Sequence, residues 1–158
     1  MGSDHRPVQL DTVSAEAKTR GLSLQILQVQ SPDEFEAAFR AASSERADGL
    51  LILSSPLFGS NPKPLADLSA QYRLPAITLF PEFAQSGGLL AYGTNLIDLY
   101  VQAGALIAKV LEGAKPDDLP VERPSRFQLV LNLKTAKGLG LDIPPTLLAR
   151  ADEVIDLL

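Results

Sequence analysis

Side chains that could bind a small molecule follow three apolar stretches of the sequence. Such stretches are typical of buried strands, and the carboxyl ends of neighbouring parallel strands form the ligand-binding edge of open α/β sheets. The side chains offer hydroxyls, an amide, a carboxylate and aromatic rings, which suit a small zwitterion with an apolar side chain. The predicted ligand-binding residues are Ser54, Ser55, Phe58, Glu82, Phe83, Tyr92, Thr94 and Asn95.

Each of these residues also has a purely structural interpretation. Ser54, Thr94 and Asn95 are good helix caps, and the aromatic rings could belong to the core. If a helix begins after Asn95, its N-terminus could also face an anion. The sequence leaves both interpretations open for every single position.

Patterns that would indicate catalysis are weak. The chain has no cysteine and only one histidine, His5, so a Ser-His-Asp triad or a multi-histidine zinc site within one chain is not expected. The Gly-Leu-Gly at 138–140 lacks the third glycine of a dinucleotide-binding fingerprint and is typical of a helix end. We therefore predict no enzymatic activity, no catalytic residue, no metal and no cofactor.

The composition narrows the class of protein further. A chain of 158 residues with 46% hydrophobic and 21% charged residues can form one domain with a substantial core. A net charge of −5 argues against a nucleic-acid-binding surface. The opening MGSDHRPVQL has no apolar core of the signal-peptide type, and no apolar run is long enough for a membrane span.

The first half of the chain alternates helical and strand patterns. This order predicts a parallel sheet with helices on both faces. Ser31 and Glu34 form a capping box at the second helix, and Gly21 ends the first. The predicted elements are a helix at Pro7–Arg20, a strand at Leu22–Val29, a helix from Ser31 to about Ala47, a strand at Gly49–Leu53, a helix at Leu65–Tyr72 and a strand at Leu74–Phe80, with loops at Pro56–Pro64 and Pro81–Gly88.

The second half contains fewer and longer elements. A helix is predicted at Leu96–Leu111 and would bury a stripe formed by Leu99, Ala103, Leu106 and Val110. The other elements are a short strand or crossing at Leu89–Gly93, a Pro-rich connector at Ala114–Ser125, a strand at Phe127–Leu133 and a helix from about Thr146.

Several segments resemble, in order, the C-terminal half of the substrate-binding proteins of bacterial ABC importers, in the subfamily for tryptophan and other amino acids. They include SPDEFEAAF, DGLLILSSPLF, LPAITLFPEFAQSGGLLAYGTNLIDLY and RFQLVLNLKTAKGLGLDIPP. The resemblance implies a three-layer αβα, Rossmann-like (flavodoxin-like) parallel sheet, as in one lobe of a type I periplasmic binding protein. It also implies three parts: residues 1–88 from the second lobe, 89–93 as a hinge-like crossing, and 94–158 as a segment that returns to the first lobe.

The same resemblance implies that part of the two-lobed protein has no counterpart here. The first lobe would be largely absent, together with a strand that should precede the first helix. The strands at 22–29 and 50–53 would then lack a neighbour, which leaves an apolar edge open to pairing. We therefore predict a homodimer, formed through this edge or by exchange of C-terminal segments.

The function implied by the resemblance is binding of an amino acid or similar molecule for an ABC permease, outside the cytoplasm. Where family members would be expected to hold the ligand ammonium with an acidic residue, this chain has Ser55, and Glu82 is the nearest substitute. A neutral or carboxylate ligand thus stays open. The alternative is a cytoplasmic remnant of the fold that oligomerises as a sensory or interaction domain and binds ligand weakly or not at all.

Overall fold

One five-stranded sheet organises the molecule. The structure is a computed structural model and describes residues 8–124 and 126–156. The strands lie in the order β1-β2-β3-β4-β5; β1, β2 and β3 are parallel, β4 is antiparallel to β3, and β5 is parallel to β4. Their bounds are β1 Leu50–Leu51, β2 Ala76–Thr78, β3 Leu90–Thr94, β4 Phe127–Asn132 and β5 Glu153–Ile155. The predicted α/β fold with a mostly parallel sheet is confirmed.

The helices of the described residues connect these strands. They are α1 Val8–Thr19, α2 Phe35–Ser44, α3 Pro56–Gly59, α4 Pro62–Gln71, α5 Pro81–Gln85, α6 Leu96–Leu111, α7 Leu133–Leu139 and α8 Pro145–Leu148, with single 3-10 turns at Pro32–Glu34 and Pro116–Asp118. The first helix ends as expected at Gly21, whose φ is 68°. The Gly21 amide donates to the carbonyl of Lys18, and the Leu22 amide donates to the carbonyl of Ala17. These two hydrogen bonds close the last turn of the helix.

Some expectations concern residues outside the described part of the chain. These are His5, the predicted helix start at Pro7 and the end of the predicted connector at Ser125.

The core forms where α2 and α4 meet the sheet. Phe35, Phe39 and Leu65 are buried there together with Phe83 from α5. A second buried cluster joins α5 to β3 and β4 through Ala84, Ala91 and Val130. Apolar residues at helical spacing on α2 and in the runs around β2 and β4 therefore pack as predicted. In the run at 49–53 around β1, by contrast, no residue is buried and Leu51 is 53% exposed.

Two predicted loops are partly helical. The loop at Pro56–Pro64 contains α3 and the start of α4, and the loop at Pro81–Gly88 contains α5. In each case a proline stands in the first helical turn, where its missing N–H has no intrahelical partner to lose and its fixed φ suits the helix. Proline here starts helices instead of marking loops.

The capping box predicted at the second helix forms only in part. Ser31 makes no side-chain capping bond, although its backbone is extended as an N-cap requires. The Glu34 carboxylate instead accepts a hydrogen bond of 2.8 Å from the amide of Gln30. A 3-10 turn at Pro32–Glu34 precedes α2. The Glu34 carboxylate therefore bonds to the amide one residue before Ser31, the residue expected for a capping box.

The predicted strand at Leu22–Val29 is not a strand in the structure. No strand is assigned between α1 and β1, and no described backbone hydrogen bond joins residues 23–29 to another strand. Alternation of apolar residues predicts an extended segment with one apolar face. Such a segment becomes a β-strand only if a neighbouring strand lies within hydrogen-bonding distance. These residues are mostly exposed and run beside β1 without pairing to it.

The C-terminal part of the chain belongs to the same sheet as the rest. β4 pairs with β3 along its whole length, and β5 pairs with β4. Strands from both sides of the hinge-like crossing expected at residues 89–93 therefore belong to one continuous sheet. The helix predicted from Thr146 is only the single turn α8, because residues 153–155 extend as a strand along the free side of β4.

Helix α6 departs from prediction in its packing. It spans the predicted residues, but none of them is buried. Of the stripe predicted to face the core, Leu99, Ala103 and Val110 are exposed and Leu106 is half-buried. The helix has the apolar residues of a core element, but the described residues bury none of them.

Candidate functional site

The carboxyl ends of β1, β2 and β3 open on one edge of the sheet, because these neighbouring strands are parallel. After β1 the chain turns at Ser54 and enters α3. Ser55 is the N-cap of α3, and its hydroxyl accepts a hydrogen bond of 3.2 Å from the amide of Leu57. Ser54 is exposed and makes no such cap. The Ser54 hydroxyl thus faces solvent at this edge, whereas that of Ser55 holds a helix.

Phe58 contributes mainly to packing. It is half-buried, and its ring lies 5.9 Å from that of Phe35, centroid to centroid. It also packs against the core formed by α2 and α4. Its remaining exposed surface is the part that a ligand could reach.

The two residues predicted after β2 have opposite environments. Glu82 lies in the first turn of α5 and is exposed. Its carboxylate forms no ion pair within the described residues. Phe83 is only 1% exposed and belongs to the core. A Cβ on Gly88 would lie 2.2 Å from the Phe83 ring, so this ring fills space that only glycine leaves open. In this structure Phe83 therefore packs in the core.

Tyr92 is part of an aromatic pair that the sequence did not indicate. Its ring stacks on that of Phe127 with centroids 5.7 Å apart and an interplanar angle of 22°. The antiparallel register brings the rings together, because Phe127 stands opposite Thr94, two residues beyond Tyr92 on the same face. Both rings are about half exposed (49% and 52%). They form a flat apolar surface at the end of β3.

Thr94 and Asn95 lie at the start of α6. The Asn95 side chain accepts hydrogen bonds from the amides of Ile97 (3.0 Å) and Asp98 (3.1 Å), and donates to Gln128 at 3.4 Å. The amides of Ile97 and Asp98 therefore already have hydrogen-bond partners. Asp98 also places a negative charge in the first turn of α6. The crevice that Thr94 and Asn95 line is too narrow to admit a water molecule. At this helix N-terminus the Asn95 cap therefore occupies two of the amides that could have faced an anion.

Phe127 is the residue that sequence reasoning missed. It starts a strand directly after a Pro-rich segment, and nothing local shows which residue of another strand it will contact. Only the pairing of β3 with β4 could have revealed it. The edge therefore presents an exposed hydroxyl, an exposed carboxylate and a stacked aromatic pair.

Other classes of site find little support in the described residues. No group of three or more His, Cys, Asp or Glu is arranged to hold a metal within them. In the part of the chain that the structure describes, none of the helices combines the length and the apolar character needed to cross a bilayer.

A cleft much larger than the crevice at Thr94 and Asn95 lies beside β1. Its volume is about 790 Å³, and it is lined mainly by apolar residues.

The fold and this edge define an α/β protein that could bind a small solute. The sequence model of a family described as ABC transporter substrate binding protein matches residues 3–155. The chain therefore belongs to the ABC transporter substrate-binding protein family, as the sequence resemblance indicated.

Known proteins related to this chain are about twice as long. It is 25% identical over 127 residues to an uncharacterized protein of Rickettsia prowazekii (strain Madrid E), which covers 80% of this chain and 42% of that protein. The chain thus spans less than half of this curated relative.

Solved structures agree with this family. An ABC domain from Streptococcus pneumoniae in complex with L-Trp is similar at a TM-score of 0.84 and 28% identity, over 93% of this chain and 50% of that one. A conserved domain protein from Vibrio cholerae O1 biovar El Tor has the same TM-score at 23% identity, over 92% of this chain and 49% of that one, and supports the fold.

Proposed function

We propose that this chain is the solute-binding component of an ABC importer, or part of it, and binds an amino acid or a similar small molecule without catalysis. The observation that carries the proposal is the similarity over 93% of the chain to a domain solved with L-Trp. An ABC permease as partner and a location outside the cytoplasm follow from the family and belong to the same proposal.

The proposed ligand contacts are the exposed groups of the strand-end edge. The stacked rings of Tyr92 and Phe127 would contact an apolar or aromatic ligand side chain, since aromatic surfaces prefer offset-stacked or edge-to-face neighbours. The Glu82 carboxylate, which has no described ion-pair partner, would pair with an ammonium group, and the Ser54 hydroxyl would bind a polar group. Ser55, Phe58, Phe83, Thr94 and Asn95 would support these contacts from their capping and packing positions.

Calorimetric titration with L-Trp and with branched amino acids tests this proposal. We expect Tyr92→Ala to weaken binding of an aromatic ligand by about tenfold, in keeping with about 0.5–1.5 kcal/mol for an aromatic pair plus lost burial. Tyr100→Ala is the matched control, because Tyr100 is an exposed tyrosine on α6 and is not one of the proposed ligand contacts. Equal effects of the two substitutions would contradict the proposed site.

The role of Glu82 is tested separately. Glu82→Gln keeps the size of the side chain and removes its charge, so it should weaken binding of an α-amino acid and leave binding of its deaminated carboxylic-acid analogue unchanged or stronger. Unchanged affinity for both compounds would remove Glu82 from the site.

Self-association through α6 is a further part of the proposal. This helix exposes a row of large apolar side chains, and its two charged residues, Asp98 and Lys109, stand near opposite ends. In an antiparallel pair of α6 helices related by a two-fold axis, Asp98 of each copy would approach Lys109 of the other. The middle of the helix, at Ala103 and Gly104, is small enough to allow close contact.

Light scattering after size-exclusion chromatography tests the dimer. We expect Ile97→Asp to shift the protein to a monomer, since Ile97 is 74% exposed on α6. Val121→Asp is the matched control, because Val121 is also exposed but lies outside the helix. A monomeric parent chain, or equal dissociation of both variants, would refute association through α6.

The alternative function is an oligomerising sensory or interaction domain with weak or no ligand binding. The extent of exposed apolar surface on α6 favours it, because large apolar patches commonly mark interaction sites. Comparison of this chain with a version extended to the length of its relatives distinguishes the two functions. Ligand binding by the extended form alone would assign binding to the whole protein, and no binding by either would favour the alternative.

A further inference from the structure

Gln128 lies at the strand-end edge but is not one of the ligand contacts proposed above. The antiparallel register of β3 and β4 pairs it with Gly93, and the residue is half-buried. Residues two apart on a strand share a face, so Gln128 lies on the same face of the sheet as Val130, which clusters with Ala84 of α5. A paired strand therefore holds Gln128 on the side of the sheet that carries α5.

The chain that leaves β2 passes over Gly93 on this same side. A Cβ on Gly93 would lie 2.3 Å from the carbonyl oxygen of Leu79 and 2.8 Å from the Leu79 Cβ. Opposite residues of an antiparallel pair have their side chains on one face, so this backbone lies on the face of Gln128. Glu82 follows shortly after Leu79, in the first turn of α5. The Glu82 carboxylate and the Gln128 amide therefore belong to the same side of the edge.

Hydrogen bonds fix the orientation of the Gln128 amide. The Asn95 Oδ1 accepts from the amides of Ile97 and Asp98, so the other terminal atom of Asn95 is the Nδ2 donor. This Nδ2 donates to the Gln128 Oε1 at 3.4 Å. The oxygen of Gln128 therefore faces Asn95, and its nitrogen, which carries two N–H donors, has no acceptor within the described part of the chain. These donors are available to an acceptor on a ligand.

The charged side chains of the strand-end edge leave one negative charge without a partner. The segments that form this edge are residues 53–63, 79–83, 94–98 and 126–128. Their cations are Lys63 and Arg126. Lys63 pairs with Asp67, and Arg126 pairs with Asp98 at 3.5 Å between Nη1 and Oδ2. Because Glu82 has no ion pair with another described residue, its charge is the one that remains.

This charge balance favours a cationic ligand over a zwitterion. A free α-amino acid brings a carboxylate together with its ammonium group, and a bound carboxylate is stabilised best by charged donors such as Arg or Lys. Gln128 offers neutral N–H donors, which suit the oxygen of a carbonyl group. A ligand with one ammonium group and a neutral carbonyl satisfies both Glu82 and Gln128 without adding a negative charge.

We propose that the strand-end edge selects an α-amino amide, the group shared by amino-acid amides and the N-terminal residue of a peptide. The ligand ammonium pairs with the Glu82 carboxylate, and its carbonyl oxygen accepts from the Gln128 Nε2. Successive residues of β4 lie on opposite faces, so a ligand across the end of the sheet meets Phe127 on one face and Gln128 on the other. The inference rests on the proposed solute-binding function and narrows its ligand class.

Calorimetric titration of the full chain with L-Trp and L-Trp-amide tests this ligand class. At about pH 6 the α-amino group is protonated, because it ordinarily titrates near pH 7.7–8.0. We expect the amide to bind about fivefold more tightly than L-Trp, since it lacks the charge that Glu82 and Asp98 repel. Equal or tighter binding of L-Trp overturns this inference and leaves the proposed function in place. Absence of binding of both compounds counts against the proposed function, and the inference falls with it.

A dipeptide distinguishes the two sources of the α-amino amide group. L-Trp-glycinamide has the same ammonium and carbonyl groups as L-Trp-amide but continues beyond them. Similar affinities of the two compounds indicate a site that is open to the N-terminus of a peptide. Loss of binding with the dipeptide alone indicates a site for amino-acid amides. Either result supports the contact between the ligand carbonyl and Gln128.

Substitutions of Gln128 locate the effect. Gln128→Met keeps the length of the side chain and removes its donors, so it should weaken binding of L-Trp-amide by about three- to tenfold. Gln128→Lys adds a cation and should reverse the preference, so that L-Trp binds more tightly than its amide. The matched controls are Gln71→Met and Gln71→Lys, because Gln71 is exposed at the end of α4 and is not part of this edge.

The ratio of the two affinities is measured within each variant, so a general loss of stability does not imitate the expected change. Circular dichroism verifies that each variant is folded. An unchanged ratio in Gln128→Lys, or the same change in Gln71→Lys, overturns the proposal. If Gln128→Lys does not fold, unchanged binding of L-Trp-amide by Gln128→Met overturns it.

Discussion

Strand β4 and helix α6 are both apolar and lie close together in the chain, yet they meet opposite environments. In β4, Val130 and Leu131 are fully buried between neighbouring strands. In α6, no residue is buried, and side chains such as Leu111 are largely exposed. An apolar sequence thus indicates a surface that is favourable to bury. Only the tertiary contacts show whether other residues of this chain bury it.

The surroundings of β4 show how firmly it is held. The Asn132 amide donates to the carbonyl of Ala84 at 2.9 Å, and its oxygen accepts from Thr135 at 2.9 Å. At the other end, the Leu129 amide donates to the Asp152 carboxylate at 2.8 Å. The segment containing β4 and α7 is therefore part of this chain's own core, and α6 is the part of the C-terminal half that remains without cover among the described residues.

The largest expected contrast comes from shortening one leucine in each region. Leu131→Ala should lower the free energy of unfolding by roughly 2–5 kcal/mol, because it leaves a cavity in a closed part of the core. Leu111→Ala, on α6, should change it by less than about 0.5 kcal/mol. Urea denaturation at low protein concentration measures both values, and similar losses would show that α6 is covered in solution.

Two glycines extend the comparison to backbone packing. A Cβ on Gly93 in β3 would lie 2.3 Å from the carbonyl oxygen of Leu79, so Gly93→Ala should destabilise the fold by about 1–3 kcal/mol. Gly104 in α6 has open space around its Cβ position. At low protein concentration, where the proposed α6 pair is dissociated, Gly104→Ala should stabilise the protein by up to about 1 kcal/mol, since alanine favours a helix interior. A loss of stability in both variants would mean that α6 packs closely against something.

The elements that the sequence predicted correctly are those with a local signal. The apolar runs around β2 and β4 identify buried strands, and the alternation of helices and strands identifies a parallel sheet. The short helices α3 and α5 were missed because a proline next to polar residues is common both in loops and in the first turn of a helix.

The rest depends on partners that no local pattern specifies. Residues 22–29 have the alternation of a strand but lie beside a cleft instead of a neighbouring strand. The contact of Phe127 with Tyr92 depends on the register of β3 with β4, and the burial of Phe83 depends on the space that Gly88 leaves open. The polar positions after the strands were located from sequence, whereas the environment of each side chain required the tertiary structure.

Two asparagines that cap helices give a smaller contrast. Asn132→Ala should cost about 1–2 kcal/mol, because it removes the cap of α7 and one of the two hydrogen bonds that the buried carbonyl of Ala84 accepts, the other coming from the amide of Gly87. Asn95→Ala removes the cap of α6 in a more exposed setting and should cost about 0.5–1 kcal/mol. Thermal unfolding of both variants measures the difference, and a larger loss at Asn95 would contradict the account of α6 as the less constrained element.

The smallest expected effects have opposite signs at two threonines. The Thr78 hydroxyl in β2 is buried and has no hydrogen-bond partner among the described residues, whereas that of Thr135 donates to the carbonyl of Gly87 at 2.8 Å. Valine keeps the branched shape in both places. Thr78→Val should therefore stabilise the fold by about 1 kcal/mol, because an unsatisfied buried hydroxyl is removed. Thr135→Val should destabilise it by about 1 kcal/mol, because a hydrogen bond that connects α7 to the turn after α5 is lost.

Chemical denaturation of the Thr78→Val and Thr135→Val variants beside the parent chain measures both changes in the free energy of unfolding. Destabilisation by Thr78→Val would show that this hydroxyl finds a partner, such as a bound water, near the strand-end edge.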